Sequence, residues 1–307
     1  MDAASACALL EEAGFRVAPS DVRVEERYGR WAVWLPGDRM AWFPADEAGR
    51  QRLATERRLL RLLEERCSFR VPRVLFEAEA GWEVRALVPG VYDPFGLYER
   101  IRTDRAQARR FWRSIGEVLA EQHTRVRHAD VAGWLTEVLP WPEPIAWMRE
   151  RLPAVVDDPG LLAAIEEALR RYADQEAGPA DRVLLHGDVG FHNSVVEPGT
   201  DALAGVFDYD SAAWADRHHD FRYLVSHRPL AEGEWKLDGA LETYEPATGL
   251  RIDRGRVRLC NAAGAICFLA FRRGVPPEAV SCGRTLAEDL RWTRTALSHI
   301  GIDPGSG

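Results

Sequence analysis

The residues best placed to do chemistry lie in one stretch, LLHGDVGFHNSVVEPGTDALAGVFDYD, at positions 184–210. His186, Asp188 and Asn193 follow one short apolar run, and Asp208 ends a second. Polar residues at the ends of strands are able to converge on one spot. Phosphoryl transfer asks little covalent chemistry of a protein: a carboxylate to orient a hydroxyl and accept its proton, and oxygen ligands to hold magnesium against phosphates. Asp188 suits the first task, and Asn193 with Asp208 the second. The spacing from Asp188 to Asn193 allows a curled loop, and an intervening hairpin is expected to return Asp208 to the same side.

The flanking sequence predicts the elements that position these groups. Residues 21–45 carry β-branched and aromatic clusters broken by Tyr-Gly and Pro-Gly-Asp turn signals, which predicts a three-stranded meander. Residues 46–67 place Leu53, Glu56, Leu60 and Leu63 at helical spacing, and VPRVLFEAE and WEVRALV read as two further strands. Five strands and one helix are thus expected before Pro89-Gly90, giving a β-rich lobe over residues 1–90. Residues 91–307 are expected to form a larger helical lobe, with helices over 106–126 and 159–173 and in VRLCNAAGAICFLAF and LAEDLRWTRTALSHI. RVLLHGD and ALAGVFDYD read as a strand pair inside it. No repeat interrupts the chain, which ends in a short Gly/Ser/Pro tail from Asp303.

Composition excludes some functions. With 40 basic against 48 acidic residues the net charge is -8, which argues against nucleic acid or an anionic membrane as partner and suits a cationic small molecule. The longest apolar run, residues 262–271, is about half of the roughly 20 residues a membrane span needs. The start MDAASACALLEEAGF lacks the basic region of an export signal, so a cytoplasmic protein is expected. Five scattered cysteines without a C-x-x-C pair predict buried thiols, not a zinc or redox centre.

His186-Gly187-Asp188, then Asn193, then Phe207-Asp208-Tyr209-Asp210 together resemble the signature of the aminoglycoside phosphotransferase and choline kinase-like family. Residues 215–221 resemble that family's acidic segment, and Leu119 to His123 resembles its helix carrying a Leu and then a His. The resemblance spans about residues 21–225. It implies an α+β, two-lobed protein-kinase-like fold that binds ATP or GTP with Mg2+ in the cleft between lobes and phosphorylates a hydroxyl of a small molecule. By the same resemblance Asp188 is the catalytic base, Asn193 and Asp208 hold magnesium, and His186 and Asp220 brace the loop. Val88 to Val91 form the hinge beside the nucleotide base, and Asp210 supports the metal site or caps the next turn.

One departure stands out. Kinase-like enzymes carry a Lys on the third strand that touches the phosphates and pairs with a helix Glu. Here the matching place holds Trp42, and the single lysine is Lys236. Glu56 is the surviving helix partner, on an apolar stripe where a carboxylate is costly unless paired. Either an arginine such as Arg39, Arg30 or Arg85 replaces the lysine, or magnesium and backbone hold the nucleotide, or the chain is a binding pseudokinase. Gly190 is a second departure, at a position where relatives place a phosphate-reaching side chain, with His192 two residues on.

The acceptor is expected to be an antibiotic (an aminoglycoside, a cyclic peptide or a nucleoside), or else a metabolite of the choline, homoserine or sugar type. A metallohydrolase using His186, His192, His218, His219, Asp188 and Asp220 is the rival class. Adjacent His218 and His219 point about 100° apart on a helix, so one is expected at the surface and one satisfied in the core. Among eleven tryptophans, Trp214, then Trp141 and Trp147, are the candidates for a cation-binding cage.

Overall fold

In the computed structural model, which describes residues 1–175, 177–225 and 234–303, the meander forms as β1 (Arg23–Arg27), β2 (Arg30–Leu35) and β3 (Arg39–Pro44). Its first turn is Tyr28-Gly29, with φ of 49° and 75°, the left-handed pair that a two-residue hairpin demands. β4 (Arg73–Glu77) and β5 (Glu83–Ala86) complete a five-stranded sheet in the order β1-β2-β3-β5-β4. Alternation gives the sheet two unlike faces. Val33, Leu35, Ala41, Phe43 and Val84 form the apolar face and pack with Ala6 and Leu10 of α1 (Ala3–Glu12). Each fully buried Leu there stabilises the fold by about 2 kcal/mol.

That helix corrects the expectation of a single helix in this region. Its signal was local: Asp2 caps it by accepting from the Ser5 N–H at 2.8 Å, ahead of an Ala/Leu-rich run. The expected helix is α2 (Glu47–Arg66), capped by Asp46 and burying Leu53, Glu56, Leu60 and Leu63. Gly49 is required at its start, because a Cβ there would lie 2.1 Å from the Gly29 carbonyl oxygen.

Residues Met1–Thr103 and Phe191–Asp210 form one unit, and Asp104–Gly190 with Ser211–Gly307 form a second. The expected pairing of RVLLHGD with ALAGVFDYD does not occur. β6 (Arg182–Leu185) belongs to the second unit, whereas β7 (Ser194–Val196) and β8 (Leu203–Val206) pair with each other in the first. β6 instead pairs with β9 (Ala213–Asp216), in register from Arg182↔Asp216 to Leu185↔Ala213. The reason is local closure: the Glu-Pro-Gly-Thr-Asp turn folds β8 back onto its neighbour β7. Val88, Val195 and Ala204 bury together beneath this hairpin, and Arg100 of α3 (Pro94–Thr103) grips Asp201 at 2.7 and 3.0 Å.

The second unit is helical around the β6-β9 ladder: α4 (Arg105–Arg125), α5 (His128–Val131), α6 (Ile145–Arg151), α7 (Pro159–Ala173), α8 (Trp235–Thr248), α9 (Arg254–Ala270) and α10 (Leu286–His299). α4 lies against α8 at Gly116, where a Cβ would stand 2.0 Å from the Ala240 carbonyl oxygen. No helix among the described residues is long and apolar enough to cross a membrane. The tail beyond Asp303 lies outside the described residues.

Candidate active site

β6 delivers the chain into a loop whose geometry is set by one buried carboxylate. Asp220 accepts from the backbone N–H of His186 at 3.0 Å and of Gly187 at 2.8 Å, and its Oδ2 lies 3.1 Å from His123 Nε2. Gly187 needs its φ of 85° and its missing side chain, since a Cβ would meet the Ser211 carbonyl oxygen at 2.2 Å. His186 is fully buried, and its Nδ1 accepts from the Asp188 N–H at 3.3 Å. The Asp188 backbone is thus held from one side by His186, itself held by Asp220.

Burial pushes the His123 pKa down, so its ring is neutral and the network assigns its protons. Nε2–H donates to Asp220, and Nδ1 accepts from the Tyr244 hydroxyl at 2.9 Å. Burial alone would raise the Asp220 carboxyl, but the hydrogen bonds from His123 and from the Gly187 N–H hold it below the usual carboxylate range. The loop therefore carries a fixed negative charge at its base.

In the first unit, Asn193 and Asp208 sit at one end of the β7-β8 hairpin. The ladder runs from Ser194↔Val206, and Phe207 donates its N–H to the Asn193 carbonyl at 3.1 Å, so Phe207 stands opposite Asn193 and Asp208 is the next residue beyond that pair. Asp208 has a φ of 69°, a left-handed conformation uncommon for residues other than glycine, asparagine and aspartate. Both side chains offer oxygen, which is the donor chemistry a hard divalent cation such as Mg2+ takes. Tyr92 packs edge-on against Phe207 at 5.3 Å.

Val88 is buried under the hairpin, and Val91 spends both backbone groups on Val196, at 2.8 and 3.1 Å. Only the half-exposed Val91 side chain remains for a ligand. Glu56 is buried and paired: Arg85 Nη2 lies 3.0 Å away and Arg30 Nη1 3.4 Å. Burial alone would raise the Glu56 carboxyl, yet Arg85 and then Arg30 draw it below the usual range. Arg30 Nη2 also meets Asp210 at 3.1 Å. Trp42 lies on the same sheet face, with the Arg30 guanidinium 5.0 Å from its ring centre. Arg39 turns away to the Pro36 carbonyl.

The family model described as the phosphotransferase enzyme family (APH) matches residues 24–260. The chain belongs to this family. It is similar to a streptomycin 3''-kinase of Streptomyces griseus, 33% identical over 118 residues, which is 38% of this chain and spans about a third (34%) of that relative. Among solved structures it resembles aminoglycoside 2'-phosphotransferase-IIIa in its GDP complex, with a TM-score of 0.67 at 17% identity over 98% of this chain and 97% of the other. It also resembles macrolide 2'-phosphotransferase MphH from Brachybacterium faecium, with a TM-score of 0.63 at 22% identity over 99% of both chains. The fold is that of the phosphotransferases.

Within this member of the family, His218 and His219 correct the expectation of one surface histidine, for both are buried. His218 Nδ1 pairs with Asp216 and its Nε2 accepts from the Asp253 N–H at 3.2 Å, while His219 Nε2 meets the Tyr172 hydroxyl at 3.2 Å. They serve different neighbours, because the turn of a 3-10 helix separates their rings. Burial, then Arg222, pushes the His219 pKa down to about 3, against about 6.5 in the unfolded chain. Below pH 6.5 the unfolded chain therefore binds the extra proton and stability falls with pH. At pH 5 this histidine is expected to cost about 2 kcal/mol relative to pH 7. Denaturant melts of His219→Phe at both pH values check it, since the variant should show the smaller pH dependence.

The candidate cage tryptophans are already occupied. Trp214 packs on His128 at 5.3 Å, Trp141 on Phe268 at 4.7 Å, and Trp147 on Phe271 with Arg151 4.4 Å from its ring. Sequence reasoning missed Arg222, a fully buried arginine that donates to the Gly187 carbonyl and stacks on Tyr223 at 4.3 Å. It also missed Tyr244 as a partner of His123. An arginine inside an apolar-flanked segment, Asp220-Phe221-Arg222-Tyr223-Leu224, was the available signal.

Proposed function

We propose that the protein transfers the terminal phosphoryl group of ATP or GTP to a hydroxyl of a small molecule, an antibiotic first. The observation that carries this is the over-determined loop around Asp188. A buried carboxylate, two backbone N–H groups, an imidazole and a left-handed glycine all serve to hold one further carboxylate in place. Such positioning is what phosphoryl transfer requires, because its largely dissociative transition state needs alignment more than a strong base.

Asp188 would align the acceptor hydroxyl and take its proton late. Asn193 and Asp208 would hold Mg2+ through oxygen, and bound magnesium would neutralise charge on the phosphates. The first unit would carry the nucleotide, with Val88 and Val91 beside the base and Glu56 and Asp210 ordering the charged groups around it. The similarity to a streptomycin 3''-kinase and the excess of acidic residues both favour a cationic antibiotic such as streptomycin as the first acceptor to test.

The test is calorimetric titration with ATP and GTP, each with and without magnesium, followed by mass spectrometry of streptomycin, kanamycin, a macrolide, choline and homoserine incubated with protein and nucleotide. Magnesium-dependent binding and the gain of one phosphoryl group on an acceptor are expected. Binding of neither nucleotide would overturn the proposal, and phosphorylation of choline or homoserine alone would move the substrate to the metabolite class.

A further inference from the structure

The geometry points to Arg30 as the cation that contacts the nucleotide phosphates in this chain, held for that task by Glu56, by Asp210 and by the face of Trp42. The assignment rests on the proposed function and deepens it where Trp42 stands in the place expected to hold a lysine. Three arginines compete for the role, and their partners separate them.

Arg39 opens β3 and spends its Nε on the Pro36 carbonyl at 3.0 Å, away from Glu56. Arg85 on β5 is saturated: Nη2 meets Glu56 at 3.0 Å, and Nε and Nη2 both meet Glu83, which is itself pinned by Arg57 at 2.8 Å. Two carboxylates already fill its fork. Arg30 is buried to 4% exposure, yet its Nε has no partner among the described residues and its Glu56 contact is long, at 3.4 Å. A buried guanidinium donor without an acceptor is costly, which makes it a place where a ligand oxygen is missing.

The direction of that guanidinium is fixed by what surrounds it. Arg30, Ala32 and Trp34 alternate onto one face of β2, and the register Ala32↔Trp42 and Trp42↔Glu83 sets Trp42 on the same face. The indole lies 5.0 Å from the Arg30 guanidinium carbon and 6.0 Å from that of Arg85. A lysine at position 42 would be a further cation crowded beside these two arginines around Glu56, whereas a tryptophan face attracts them. The positive charge has in effect moved one strand over, from position 42 to position 30. On its far side Arg30 meets Asp210, two residues beyond Asp208, so it stands within the first unit next to the hairpin end that offers Asn193 and Asp208. A phosphate there would take the place of Asp210 on the guanidinium, trading one anionic acceptor for another and satisfying Nε as well.

The experiment compares how much phosphate groups strengthen binding. The full chain, with magnesium, is titrated calorimetrically with adenosine, AMP and ADP and with guanosine, GMP and GDP. Arg30→Met is expected to reduce the preference for diphosphate over nucleoside roughly tenfold to a hundredfold, with nucleoside affinity unchanged, which also shows that the variant is folded. Arg30→Lys should recover part of the preference, and Arg39→Met and Arg85→Lys should retain it. Should Arg30→Met fail to fold, a wild-type preference in Arg30→Lys or its loss in Arg85→Lys overturns the assignment. Wild-type preference in folded Arg30→Met overturns it alone, while absence of all binding by the unsubstituted chain overturns the proposed function and this assignment with it.

Discussion

Asp188→Ala should lower turnover by about three orders of magnitude while nucleotide affinity stays within about threefold. The magnitude is that of removing a positioned general base. The small effect on affinity follows from the loop: the His186 and Gly187 N–H groups are bonded to Asp220, and the Asp188 N–H to His186, and these backbone bonds remain when the Asp188 carboxylate is removed. Asp208→Asn is the matching control. Asparagine tolerates the left-handed φ of 69° that alanine would strain, so it removes charge without disturbing the hairpin. It should weaken magnesium-dependent nucleotide binding by at least about tenfold. Rates of acceptor phosphorylation and calorimetric affinities measure both. If the two variants lose nucleotide binding equally, the division of roles between base and metal ligand is wrong.

Asp220→Ala should have the largest effect on stability. It leaves the buried N–H groups of His186 and Gly187 and the His123 imidazole without their acceptor, each worth about 1–3 kcal/mol, for a loss of about 4 kcal/mol. Against a typical total of about 5–15 kcal/mol, that is enough to unfold part of the population near body temperature. Asp220→Asn keeps one acceptor oxygen and should lose about half as much, with reduced turnover but nucleotide affinity unchanged.

The pH dependence carries a sign. The folded Asp220 carboxyl lies below its unfolded value near 3.9, so its contribution is present above that value and lost as pH falls through the folded one. Asp220→Asn should therefore flatten the acid limb below about pH 4. Chemical denaturation at pH 7, 4 and 3 tests both statements. A stability equal to that of the unsubstituted chain would show that Asp220 is not what holds the loop.

Much of the local architecture was legible from periodicity and turn chemistry. The meander from β1 to β3, the helix α2 with Leu53, Glu56, Leu60 and Leu63 on its buried stripe, and the helices α4, α7, α9 and α10 all lie where residue spacing predicts them. The paired state of Glu56 was also implied, since a carboxylate on an apolar stripe needs a counter-charge. α1 was missed although Asp2 and the alanines after it carry an ordinary cap and helix composition.

By itself the sequence determined the motif His186-Gly187-Asp188 with Asn193 and Asp208, the family that motif belongs to, and the order of helices and strands, because these depend on neighbours within a few residues. Only the tertiary structure decided that β6 takes β9 as its partner, that the β7-β8 hairpin joins the first unit, and that Arg222 and Tyr244 support the loop. It alone separated Arg30 from Arg39 and Arg85. Such choices depend on which distant groups are buried against each other, and a buried charge or strand edge accepts any partner that satisfies it, so no local pattern can name that partner in advance.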